Sequence, residues 1–272
     1  MSTPLLQIVA VIFSLLIVPA VASAQTKEIA PIAVCVDTKK SSSCLTGDNL
    51  IRTLYGKGLV RAPLGWKVRN DLFVNPVLGK LIQHGETSVA LFVVEEIKPD
   101  PDNKRPEGHA SVPNMAIALF NWIDGVWKPL SQAKGLQGVG AWGRLNVDYL
   151  TVHVAGQQQY FIQIPSGYMG QGIIESFSVF YASFTPNGKP STLIKELGSI
   201  TTSTDGCASG FEGQVREEGE LIVFFKEQQY PDLVLYRTQA SCEAAFFKKT
   251  LPPEFFAFDK KSESYRPKNQ KN

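Results

Sequence analysis

The stretch YLTVHVAGQQQYFIQI, residues 149–164, decides how the chain is read. Leu150, Val152 and Val154 alternate with Tyr149, Thr151 and His153; after Ala155-Gly156-Gln157, Tyr160, Ile162 and Ile164 alternate with Phe161 and Gln163. Strict period-two alternation rich in β-branched and aromatic residues means strands, because successive side chains point to opposite faces. The run IIESFSVFYASF, residues 173–184, repeats the pattern, with Phe177, Val179 and Tyr181 on one face and Ser176, Ser178 and Phe180 on the other. Two glycine clusters frame these strands. Gly138, Gly140 and Gly143 precede them, while Gly167, Gly170 and Gly172 are expected to form a positive-φ corner or bulge. The second cluster is no phosphate loop, since a strand pattern comes after it rather than a helix N-terminus.

Working outward, the same grammar recurs. Residues 78–83 and 88–97 flank His84-Gly85-Glu86-Thr87 as a hairpin, and the unbroken apolar run Ala90 to Val94 reads as a central strand covered on both faces. A separate short strand is expected near residues 72–74. Residues 116–122 and 126–130 flank Asp124-Gly125, the chain's strongest hairpin signal, because a type I′ turn needs positive φ at both central positions. Asn187-Gly188 reads as another turn of that type. Further strands fall at residues 220–225 and 233–237, and a last weak hairpin spans Phe255 to Tyr265. One short helix is expected near the N-terminus: Thr46 or Asp48 as cap, Leu50, Ile51, Leu54 and Tyr55 on one side, Gly56 past its end. The fold class is therefore mainly β, an antiparallel meander with sandwich-like or small, irregular propeller-like sheets and one short N-terminal helix.

The chain opens with a secretory leader. Residues 5–18 are almost unbroken apolar sequence, Pro19 interrupts it, and Ala22-Ser23-Ala24 offers the small residues that a signal peptidase reads, so cleavage is expected after Ala24. An uncleaved anchor is the rival reading and the only membrane contact expected. Residues 25–265, downstream of the leader, read as one β-rich domain, with a division into two sub-domains near residues 98–113 as the alternative. That stretch carries Pro99, Pro101, Pro106 and Pro113 among charged residues, which excludes ladder and helix and leaves a long exposed loop. Residues 266–272 read as a disordered tail.

Cys35, Cys44, Cys207 and Cys242, an even number behind an export signal, point to two disulfides. Of the three possible pairings, nearest-neighbour closure (Cys35–Cys44 and Cys207–Cys242) is expected. The spacing contains no C-x-x-C, and histidine occurs only at positions 84, 109 and 153, so neither metal nor cofactor is expected. Asp100, Asp102 and Glu107 on the proline-rich loop lack the compact, glycine-hinged turn that calcium needs. Net charge is +2, with 27 Lys and Arg against 25 Asp and Glu scattered along the chain, which argues against nucleic acid.

Catalytic grammar is thin. Glu95 and Glu96, and likewise Glu217 and Glu218, are strand neighbours that point to opposite faces and cannot act on one substrate as a pair. The chain has no G-x-S-x-G elbow, and nothing joins a histidine to a nucleophile. No catalytic residue is assigned. The candidate binding surface combines Trp122 and Trp127, beside the Asp124-Gly125 turn, with Asp100 and Asp102 on the long loop. The resulting expectation is a periplasmic or secreted protein without catalysis that binds another protein, as an inhibitor or immunity-type protein does. The alternatives are a hydrolase or carbohydrate-active domain with a site assembled from distant residues, and a structural cell-surface subunit.

Overall fold

The computed structural model describes residues 32–69, 71–102, 104–106, 111–141, 144–170, 173–207, 214–225, 230–243 and 248–268. The expected leader, Glu107, His109, Trp142, Gly143, Gly172 and residues 269–272 of the expected tail lie outside them. The described residues belong to one compact unit.

The N-terminal ribbon pairs β1 (Ala33–Cys35) with β2 (Cys44–Thr46). Cys35 and Cys44 are cross-strand partners and are bonded to each other. The Thr46 hydroxyl then accepts from Asn49 N at 3.3 Å and starts helix α1 (Gly47–Tyr55). Leu50, Ile51 and Leu54 are buried along one face, and Gly56 ends the helix at φ 98°. The cap, the apolar spacing and the terminating glycine are those expected.

An antiparallel meander comes next: β3 (Val60–Ala62), β4 (Gly65–Arg69), β5 (Leu72–His84), β6 (Thr87–Ile97), β7 (Asn114–Ile123) and β8 (Val126–Leu136). β5 is one long strand rather than two, because a bulge at Pro76/Leu78 absorbs the proline without ending the ladder. β6 is buried from Val89 to Ile97, as its apolar run required. Asp124 and Gly125 join β7 to β8 with φ of 56° and 77°. The segment expected as a long loop joins β6 to β7, which are adjacent partners from Glu96↔Asn114 onward.

β9 (Gly140–Ala141) and β10 (Arg144–Leu145) form a small ribbon. Beyond it lie β11 (Thr151–Gly156), β12 (Gln159–Gly170), β13 (Ile173–Phe184) and β14 (Pro190–Asp205), antiparallel neighbours in that order. Two turn expectations are corrected here. Gly167 and Gly170 are not a corner; they are paired positions of β12, opposite Ser176 and Ile173. At Asn187-Gly188 only Gly188 has positive φ (72°), so the turn is not type I′. Thr185 O accepts from Gly188 N, and Thr185 N donates to Lys189 O, in a wider loop.

The last strands are β15 (Val215–Phe224), β16 (Asp232–Ser241), β17 (Lys249–Thr250), β18 (Glu254–Asp259) and β19 (Ser264–Pro267). β19 runs through Arg266 and Pro267, paired with Ala257 and Phe256, so ordered structure extends past the expected start of the tail. Cys207 and Cys242 bridge the ends of β14 and β16.

Fifteen strands hydrogen-bond into one continuous sheet, which folds back on itself into three stacked layers. Three cores hold the layers together. Helix α1 and the β1–β2 ribbon cover Ala90, Phe92, Ala116 and Phe120 on one face of the meander. The opposite face (Leu91, Val93, Ile117, Leu119) packs on Ile162, Ile164, Val179 and Tyr181 of β12 and β13. The far face of those strands (Phe161, Phe180, Phe184) packs on Leu233, Leu235, Phe256 and Tyr265. Face-to-face stacking takes the sandwich alternative, and the alternating residues of the 149–164 stretch serve two different cores.

Candidate functional site

The candidate surface drawn from sequence does not assemble. Trp122 and Trp127 are cross-strand partners at the β7–β8 turn, with ring centroids 5.2 Å apart and edge-to-face. Asp100 lies beyond the opposite end of β7, and the run from Asn114 to Trp122 spans ~26 Å at ~3.3 Å per residue. Nor are the tryptophans a flat platform. Trp127 Nε1 donates to Ser43 O at 3.0 Å, which pins the hairpin to the N-terminal disulfide ring. Asp100 organises its own loop: its Oδ1 accepts from Lys104 N at 2.7 Å, and its N donates to Lys104 O. Asp102 is exposed. Among the described residues no group of His, Cys, Asp and Glu is arranged to hold a metal ion.

The adjacent carboxylates point apart as expected, yet both are buried, at 5% and 6% exposure. Glu95 Oε2 meets Arg105 Nη2 at 3.0 Å, and its Oε1 accepts from Leu145 N. On the other face, Glu96 Oε1 accepts from the Tyr55 hydroxyl at 2.6 Å and Oε2 from Gly135 N at 2.7 Å. Burial first, and Glu96 second, push the Tyr55 hydroxyl far above its ordinary range. Each carboxylate oxygen thus holds a donor from another segment, so the pair staples α1, the long loop and the β8 end onto β6. A pocket of about 340 Å³ opens beside Glu96, between Lys98 and Asn114. Sequence reasoning missed the burial, because charged residues at a strand end ordinarily face water.

Glu217 and Glu218 also diverge. Glu217 accepts from Gln239 and lies 3.7 Å from Arg237 on the inner face of β15, while Glu218 pairs with Lys248 outside. His153 is half-buried between Phe161 and Phe225, with centroids at 6.1 and 5.7 Å. Its Nε2 is enclosed without a hydrogen-bond partner, and burial lowers its pKa, only partly offset by Gln163.

The feature that fits a site is the end of the β12–β13 hairpin. β11 covers β12 only from Gln159 to Gln163, whereas β12 continues to Gly170 beside β13. Past the sandwich, Tyr168, Met169 and Ile174 are 53%, 54% and 43% exposed, and Met169 and Ile174 face each other as cross-strand partners. Met169 and Ile174 continue the face that Phe161 and Phe180 bury further along the same strands, whereas Tyr168 lies on the opposite face. The outer end of this extension is braced by β14. Ile174 pairs with Asp205 of β14, whose carboxylate accepts from Cys207 N at 3.0 Å and from Arg216 Nε at 2.7 Å. Cys207 is in turn tied to Cys242. Residues 165–170, PSGYMG, carry no period-two signal that could have revealed the extension, and their glycines suggested a corner.

Comparison of the chain with protein-family models, with curated proteins and with solved structures finds no significant match.

Proposed function

We propose that the protein is an exported, non-enzymatic binding protein of the periplasm or extracellular space, of inhibitor or immunity type, that blocks another protein. The end of the β12–β13 hairpin is the element that enters the target. One observation carries this reading: Met169 and Ile174 present apolar side chains to solvent from one face of a ladder whose edge is paired with β14 and tied by a disulfide, and Tyr168 is exposed on the other face. Exposed apolar groups on a rigid support bind with little ordering cost, which is how a protruding hairpin gains affinity for a cleft. Two disulfides support export, since thiols of the cytoplasm are kept reduced.

The test is affinity capture from periplasmic or extracellular extract, with the disulfide-intact protein immobilised. One stoichiometric protein is expected, lost with the Met169→Asp/Ile174→Asp variant. Capture that ignores this variant sinks the hairpin reading. Turnover of a substrate panel by the purified protein, abolished by changing one carboxylate, sinks the non-enzymatic reading. An intact leader and free thiols on protein from its native compartment would remove the export claim.

A further inference from the structure

The outermost layer, built from β15, β16, β18 and β19, buries one face against β12 and β13, and its other face carries partly exposed apolar side chains around the buried Val234. Ile222 and Phe224 of β15, Tyr236 of β16 and Phe255 of β18 stand on the open face, between 36% and 47% exposed. Strand register places Ile222, Val234 and Phe255 in one row across three strands. Apolar side chains gathered on a sheet face mark an interaction surface, whereas the same residues scattered singly do not.

Charge at the two borders of this block identifies what fits it. On the β15 border the Glu220 carboxylate forms no hydrogen bond or ion pair among the described residues. On the β19 border Arg266 donates from Nε to Ser262 Oγ and forms no ion pair among the described residues. Asp259, which feels the Arg266 charge, is itself held by Lys261 N and Ser262. Between the borders, Asp232 and Lys268 neutralise each other at 2.7 Å. A matching surface carries an apolar block with a cation beyond the border facing Glu220 and an anion beyond the border facing Arg266. The same face, turned about a two-fold axis lying in the contact plane and oblique to the strands, is such a surface, because that axis exchanges the two borders and absorbs the offset between Glu220, in the row of Tyr236, and Arg266, in the row of Ala257. A net charge of +2 leaves little repulsion between copies.

We propose that the protein forms a two-fold homodimer through the outer face of β15, β16, β18 and β19, with Glu220 of each copy meeting Arg266 of the other. The contact is independent of the β12–β13 hairpin, which stays free in the dimer.

Sedimentation velocity on the disulfide-intact protein across a concentration series tests this. Two chains per particle are expected at micromolar concentration. Phe224→Ser/Tyr236→Ser weakens association at least about tenfold. Glu220→Arg alone and Arg266→Glu alone each weaken it, and the double charge reversal E220R/R266E restores it. Thermal melts monitored by circular dichroism identify any variant that has failed to fold. The Met169→Asp/Ile174→Asp variant stays dimeric, so failure of the hairpin reading and failure of this one are distinguishable. A wild-type chain that remains monomeric at every concentration overturns the proposal and leaves the face to another protein. A dimer indifferent to the Phe224 and Tyr236 changes overturns it in favour of a different face. A double reversal that fails to recover association overturns the Glu220–Arg266 pairing.

Discussion

The Tyr55 hydroxyl donates to Glu96 Oε1 at 2.6 Å, joining the last residue of helix α1 to the buried end of β6. Tyr55→Phe keeps the ring and removes the donor, so one oxygen of a carboxylate at 6% exposure loses its partner. The expected loss is about 2 kcal/mol, from the cost of an unpaired charged acceptor. Urea unfolding measures it; an unchanged midpoint would show that water replaces the hydroxyl.

The two disulfides close rings of different size, with sequence separations of 9 and 35. Chain-entropy arguments give about 2.6 kcal/mol for the shorter and about 4 kcal/mol for the longer. Replacing Cys207 and Cys242 together by Ser should therefore destabilise more than replacing Cys35 and Cys44. It should also loosen the outer end of the β12–β13 extension, because Cys207 lies two residues beyond the Asp205 that pairs with Ile174. Hydrogen exchange at Ile174 and Glu175 reads the second effect, and equal protection in both variants would contradict it.

His153 makes stability depend on pH. Its folded pKa lies below the ordinary 6.5 because burial disfavours the cation. The unfolded chain therefore binds the proton more readily, so the contribution is fully present above pH 6.5 and is lost as pH falls towards the folded value. Glu196, whose pKa burial raises, works in the opposite sense, so the comparison is made between wild type and His153→Phe. As pH falls below 6.5 the wild type should lose stability relative to the variant. Parallel curves would mean that the imidazole is hydrated.

At the β7–β8 turn Gly125 sits at φ 77° with nothing near the position of an added Cβ. Gly125→Ala thus meets only the backbone penalty of the left-handed region, about 1 kcal/mol. Gly140→Ala should cost more. There φ is 146°, and an added Cβ would meet Arg144 O at 2.2 Å, so the β9–β10 ribbon must open. Thermal melts of the two variants rank them, and the reverse order would refute the assignment.

Local physics wrote much of this fold into the sequence. The alternation of Tyr160, Phe161 and Ile162, the Thr46 cap, the positive-φ pair at Asp124-Gly125 and the Cys35–Cys44 ring all depend on groups within a few residues, or on strands joined by a short turn. Where several local signals competed, the pattern misled: Gly167 and Gly170 looked like a corner because glycine tolerates positive φ, yet here both are extended and paired. Alternation states that a strand has two faces; it does not state what covers each one. Stacking of the layers decided that. It enclosed Glu95 and Glu96, set Trp122 and Asp100 at opposite ends of β7, and left Met169, Ile174 and the Phe224–Tyr236 face in water. Coverage depends on strands far apart in the chain, whose meeting is set by the summed packing of three cores rather than by the residues beside any one of them.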